Sequence, residues 1–213
     1  MKRKRTAMAE TGPLFPLISI SRLRMETDGA GVTTLVAGAG CPLGCRYCIN
    51  ERILAQKEPE WVTPEALFSR TRIDDLYFQA TGGGLCFGGG EALLHVDFIK
   101  ALRSYCGNAW KFTAETSLHV EPQAVRAAAE CFDAFIVDIK TLDHGIYLSY
   151  TGKKLGAVKE NLKLLASLFP PENVRVRIPL IPGYNTPEDR EKSAAFLNTL
   201  GYTDLDLFEY MIR

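Results

Sequence analysis

From Thr33 onward the chain alternates short extended runs with longer amphipathic ones, and that rhythm leaves few folds open. Residues 33–37, 84–87, 111–115, 134–139, 174–180 and 204–208 read as strands, rich in apolar and β-branched residues and bounded by turn formers. Between them the sequence predicts helices. Thr63 caps one that Pro64 opens. Others are expected over 96–105, 121–131, 156–168 and from Pro187 to about residue 200. The third of these repeats apolar positions at Val158, Leu162, Leu164 and Leu165. Strand–helix alternation favours a parallel sheet with right-handed crossovers. Six units, the last without its helix, are too few to close an eight-stranded barrel. The expectation is an α/β fold, an open partial (β/α)6 barrel with parallel strands. Upstream, residues 17–21 read as a half-buried edge strand and Asp28-Gly29-Ala30-Gly31 as a turn. Residues 1–213 read as one domain, with 1–15 as a disordered or extended terminus.

Composition narrows the partners. Lys+Arg and Asp+Glu both number 25, so no global field draws nucleic acid or a membrane surface. The basic run Lys2-Arg3-Lys4-Arg5 is short and reads as a solvated terminus. No apolar run reaches the length of a membrane span, and no signal-peptide core follows the basic start. The six cysteines form no compact disulfide framework, which favours a reducing, cytoplasmic setting.

Three of those cysteines stand together. Cys41, Cys45 and Cys48 lie in Cys-Pro-Leu-Gly-Cys-Arg-Tyr-Cys, directly after the first parallel strand. This C-x3-C-x2-C loop offers three thiolates, so a four-iron cluster bound there keeps one iron open to a non-protein ligand. Structural zinc is the competing reading, since Cys86 or His95 could add a fourth ligand. Zinc sites more often combine two separated ligand pairs, however, and Cys86, Cys106 and Cys131 each stand alone. In parallel α/β folds chemistry collects at the C-terminal ends of strands. The cysteines, Gly88-Gly89-Gly90-Glu91, Glu115-Thr116, Asp138-Ile139-Lys140 and Pro182-Gly183 all fall at such ends.

Taken together these residues resemble the radical S-adenosylmethionine (SAM) superfamily, and within it the activating enzymes of glycyl radical enzymes, such as those of pyruvate formate-lyase. The cysteine loop with Tyr47 before its third cysteine is similar to the superfamily signature. Asp28-Gly29-Ala30-Gly31-Val32 resembles the Asp-Gly-Pro-Gly-Ile lead-in of activating enzymes, and Gly88 to Leu94 resembles their Ser-Gly-Gly-Glu-Pro-Leu-Leu. Glu115-Thr116-Ser117 stands where they carry Asp-Thr-Asn. Val137-Asp138-Ile139-Lys140 is similar to their Leu-Asp-Leu-Lys, and residues 177–183 to their Arg-x-x-x-x-Pro-Gly.

The resemblance implies a radical SAM core, a [4Fe–4S] cluster on Cys41, Cys45 and Cys48, and SAM chelated at the open iron. Reductive cleavage of SAM would give a 5′-deoxyadenosyl radical that installs a glycyl radical on a partner enzyme, with a flavodoxin- or ferredoxin-type protein as electron donor. A radical SAM enzyme acting on a small molecule or peptide is the alternative within the superfamily. Gly88, Gly89 and Gly90 would let backbone approach the SAM amino group, with electrostatic support from Glu91. Tyr47 would lie by the adenine, or simply pack the loop; Asn50 would orient SAM, or cap a turn. Lys140 would contact SAM, and the donor fork of Arg177 would suit a ligand carboxylate. Thr116 and Asp138, with Glu115 in place of the usual aspartate, would hold a monovalent cation. Two further departures are plain: Ile49 follows the third cysteine where a histidine is usual, and Met211 follows Tyr210 where a Tyr-His pair is usual.

Overall fold

The computed structural model describes residues 12–25 and 27–210. In chain order its elements are β1 (Phe15–Met25), β2 (Val32–Gly38), α1 (Glu51–Gln56), β3 (Glu60–Val62), α2 (Pro64–Thr71), α3 (Asp75–Thr81), β4 (Gly84–Gly89) and α4 (Val96–Cys106). There follow β5 (Lys111–Thr116), α5 (Pro122–Ala129), β6 (Ala134–Asp138), α6 (His144–Thr151), α7 (Gly156–Leu168), β7 (Val174–Leu180), α8 (Pro187–Thr199) and β8 (Asp204–Glu209). One sheet runs in the order β3-β1-β2-β4-β5-β6-β7-β8. From β2 to β8 every pairing is parallel, so the six strands expected from the sequence form one uninterrupted parallel array.

Period-two alternation sorts the strand residues between two faces. On the convex face Phe87, Phe112, Phe135 and Val176 meet the helices, with Phe87 and Phe112 ring centroids 5.5 Å apart. Helix α4 seals this face with Phe98, Ile99 and Leu102, and α7 with Val158, Leu162 and Leu165. The concave face is different. In-register partners place Glu115, Asp138, Arg177 and Asp206 there, so the inside of the curve is charged. Among the described residues no helix is long and apolar enough to cross a membrane.

Two expectations change. The segment read as an edge strand over 17–21 is an eleven-residue strand, β1, antiparallel to β2. It is not the sheet edge, because β3 pairs with it along residues 15–17. Three residues are too few to leave a periodic signal, so β3 is silent in the sequence. The terminus expected over 1–15 lies outside the described residues through position 11, Lys2 to Arg5 included, while Phe15 is already buried in β1.

Candidate functional site

The cysteine loop leaves the sheet at the C-terminal end of β2 and is held by backbone. Ala39 N donates to Pro16 O at 2.8 Å, and the His95 ring Nε2 donates to Ala39 O at 3.1 Å. Farther on, Gly44 N donates to Thr151 O at 3.0 Å and Arg46 N to Tyr150 O at 3.1 Å. The last carbonyls of α6, which no helix continuation can satisfy, are thereby used to grip the loop on either side of Cys45. Glu51 N then donates to Cys48 O at 3.1 Å and opens α1. All three thiols are free, with Cys41 exposed and Cys45 and Cys48 half-buried. Burial pushes the Cys45 thiol up to about 11 against the pull of Lys140, so iron binding must displace a proton there.

The glycine run closes against the start of this loop. Gly90 N donates to Gly38 O at 2.9 Å, and Glu91 N to Gly40 O at 2.8 Å. A Cβ at Gly90 would lie 2.1 Å from Gly40 O, a backbone atom, so only glycine permits the approach. Asn50 donates its side-chain amide to Gly89 O at 2.9 Å and makes no side-chain cap to α1, tying the loop's far end to the same run. Glu91 is 2% exposed and turned inward. Its Oε1 accepts from Thr116 Oγ1 at 2.6 Å and Leu93 N at 3.2 Å; its Oε2 accepts from Ser117 N at 2.9 Å and Ser117 Oγ at 2.7 Å. Burial holds this carboxyl above its ordinary range, opposed by those donors. Glu91 and Thr116 therefore bind each other and clamp the glycine run to the end of β5.

Asp138 ends β6, the chain then turns through Ile139 N donating to Val137 O at 3.2 Å, and Lys140 follows with Ile139 buried between them. Lys140 Nζ donates to Tyr210 Oη at 3.2 Å. Burial works against its charge, but Asp138, Tyr210 and Cys45 hold the ammonium well above its ordinary value. Arg177 is committed to protein. Nη1 lies 2.9 Å from Glu115 Oε1 and 3.8 Å from Asp138 Oδ1, Nε lies 3.9 Å from Asp206 Oδ2, and Nη2 donates to Thr27 O.

The donor set fits a cluster. Among the described residues no three His, Cys, Asp or Glu side chains converge on a single-ion position. A cubane does not ask for that, since each of its irons takes its own thiolate. The residues suggested as a fourth zinc ligand are otherwise engaged: His95 bonds Ala39 O, and Cys86 is fully buried within β4. Cys106 and Cys131 are buried as well. A monovalent cation does not fit. The guanidinium of Arg177 already stands between Glu115 and Asp138, and the Thr116 hydroxyl points to Glu91. Sequence reasoning gave Ser117 no role of its own and missed Tyr150 and Tyr184, which form an aromatic trio with Tyr47 beside the loop. Tyr47, Tyr150 and Tyr184 have centroids 6.0, 5.7 and 4.9 Å apart for the pairs 47–150, 47–184 and 150–184.

The profile of the radical SAM superfamily matches residues 35–197, from β2 into α8. The chain belongs to the radical SAM superfamily. A (2S)-3-sulfopropanediol sulfolyase activating enzyme from Bilophila wadsworthia (strain 3_1_6) is 30% identical over 76% of this chain and 74% of its own length. A trans-4-hydroxy-L-proline dehydratase activating enzyme from Clostridioides difficile is also 30% identical, over 64% of this chain. This radical SAM chain spans only 46% of that second relative. Among solved structures, Streptococcus suis SuiB bound to S-adenosylmethionine superposes with a TM-score of 0.63 at 15% identity, over 81% of this chain and 39% of SuiB. That likeness concerns the fold alone, the open partial barrel of the superfamily.

Proposed function

We propose that this chain is a radical SAM activating enzyme that holds a [4Fe–4S] cluster on Cys41, Cys45 and Cys48 and acts on a glycine of a partner enzyme. The observation that carries the reading is the three-thiol loop locked at the C-terminal ends of β2 and β4, by backbone bonds from Gly90 and Glu91 and by the Asn50 side chain to Gly89. Two relatives named as activating enzymes, at 30% identity, support the choice of a protein partner over a small molecule. When bound, the cluster and SAM supply one-electron cleavage of a sulfonium C–S bond and hence a carbon-centred radical.

The chain's own residues prepare the place. Cys41, Cys45 and Cys48 supply the thiolates, and the fixed glycine run presents backbone beside them. Lys140, charged and tethered to Tyr210, supplies a cation for the SAM carboxylate. Tyr47 offers its ring or backbone to the adenine, and Asn50 keeps the loop and the glycine run in register. A flavodoxin- or ferredoxin-type protein is the proposed electron source. The test is anaerobic reconstitution followed by dithionite and SAM. Iron and sulfide at about four each per chain, with formation of 5′-deoxyadenosine, are expected. Stoichiometric zinc without iron, or no nucleoside product, ends the proposal. A glycine-centred radical in an added partner would establish the target.

Arg177 gives a second expected result. Because its guanidinium already occupies the space between Glu115 and Asp138, replacing K⁺ by choline at fixed ionic strength should leave 5′-deoxyadenosine formation and Tm unchanged. Saturable stabilisation by K⁺ over choline would show that an added ion is needed there after all.

A further inference from the structure

Among the described residues, the Tyr150 hydroxyl is the buried side-chain polar atom that lacks a hydrogen-bond partner. Its ring is fully buried. Other buried tyrosines are served: Tyr202 donates to Leu162 O at 2.7 Å, and Tyr147 lies 3.4 Å from His119 Nδ1. An unpaired buried phenol is costly, and such groups call for a reason. Position supplies one. Tyr150 sits in the last turn of α6, where its own carbonyl receives Arg46 N and the next carbonyl receives Gly44 N. Cys45 is therefore suspended over this turn, while the Tyr150 ring packs edge-on to Tyr47, the residue before Cys48. Lys140, Tyr210 and Cys45 are the titratable groups whose charge reaches the phenol, and the Tyr47 backbone N–H faces its oxygen, so what is left without a partner is the hydroxyl's own hydrogen. Burial keeps that phenol protonated, so it can only enter the site as a neutral O–H.

We propose that Tyr150 donates this O–H to a sulfur at the Cys45 corner of the bound cluster, and that it thereby tunes the cluster's potential. The inference rests on the cluster reading above. Hydrogen bonds to cluster sulfurs favour the reduced, more negative state and raise the potential. The donor is the hydroxyl hydrogen, which no acceptor among the described residues takes up.

The test is Tyr150→Phe, which removes one oxygen and keeps the ring. Three readouts separate the outcomes. In cluster-free protein, Tm should be unchanged or higher, because an unpaired hydroxyl is lost. In reconstituted protein without SAM, the midpoint potential should move to a more negative value than wild type, with an altered EPR signal of the reduced cluster. SAM affinity should stay within twofold. A variant that folds with wild-type Tm yet fails to retain the cluster also supports the proposal. An unchanged potential and EPR signal overturn it, making the hydroxyl a packing compromise. Loss of SAM affinity with an unchanged potential overturns it too, by assigning the donor to SAM. If wild-type protein takes up no iron, the cluster reading fails instead, and the two failures are distinguishable.

Discussion

Cys45→Ala should lose cluster iron and all 5′-deoxyadenosine formation above background, while the apo fold survives. The reason lies in how the loop is held. Gly44 and Arg46 fasten it through their backbone N–H groups to the end of α6, and neither bond uses the Cys45 side chain. Removing the sulfur from a half-buried position costs the apo protein about 1 kcal/mol or less. The bound cluster loses one of three protein ligands, and removal even of a supporting group around a metal typically costs 10–100-fold. Cys86→Ala is the control. That thiol is fully buried inside β4, so its loss should cost about 1 kcal/mol of stability and leave iron content untouched. Iron retained in Cys45→Ala, or lost in Cys86→Ala, would mean that the metal sits elsewhere.

Much of this arrangement was legible along the chain, for identifiable reasons. Each parallel strand is a short apolar run with its own turn signals, and β7 and α7 have the limits that the sequence indicates. The cysteines and the glycine run are contiguous motifs, so spacing alone exposes them. Strand alternation ends at Asp138, the last residue of β6, so it does not by itself place Lys140 two residues on. What escaped was short or non-local. Helix α1 has six residues inside a loop. Helix α6 has eight, with Tyr147, Tyr150 and Thr151 buried and no clean apolar stripe, so nothing local announces that its C-terminus grips the cysteine loop. Likewise, that Arg177 neutralises Glu115 depends on β5, β6 and β7 lying side by side in register. No window of sequence contains that fact.

Glu91→Gln isolates the clamp, and its effect should be large because an amide cannot imitate this carboxylate in either orientation. Oε1 accepts from the backbone N–H of Leu93 and Oε2 from the backbone N–H of Ser117. Whichever way the glutamine is turned, its NH2 faces a backbone N–H that cannot rotate away. Thr116 and Ser117 can swing their hydroxyls, but the two amides are fixed by β5 and by the turn after Glu91. One buried donor is therefore left opposing another, at a cost of about 1–3 kcal/mol. For a chain of this length that is a fall of several degrees in Tm, on the order of 2–4 °C per kcal/mol. The functional loss should exceed the stability loss. Freed from β5, Gly89 and Gly90 no longer hold their contacts to Asn50 and Gly38, so SAM affinity should drop by about tenfold, the factor that 1.4 kcal/mol of lost positioning represents. Calorimetric titration with SAM and thermal unfolding, run on the same preparation, read both effects. A Glu91→Gln protein with wild-type Tm and wild-type SAM affinity would show that the carboxylate merely fills space, and that the glycine run is held by its backbone bonds alone.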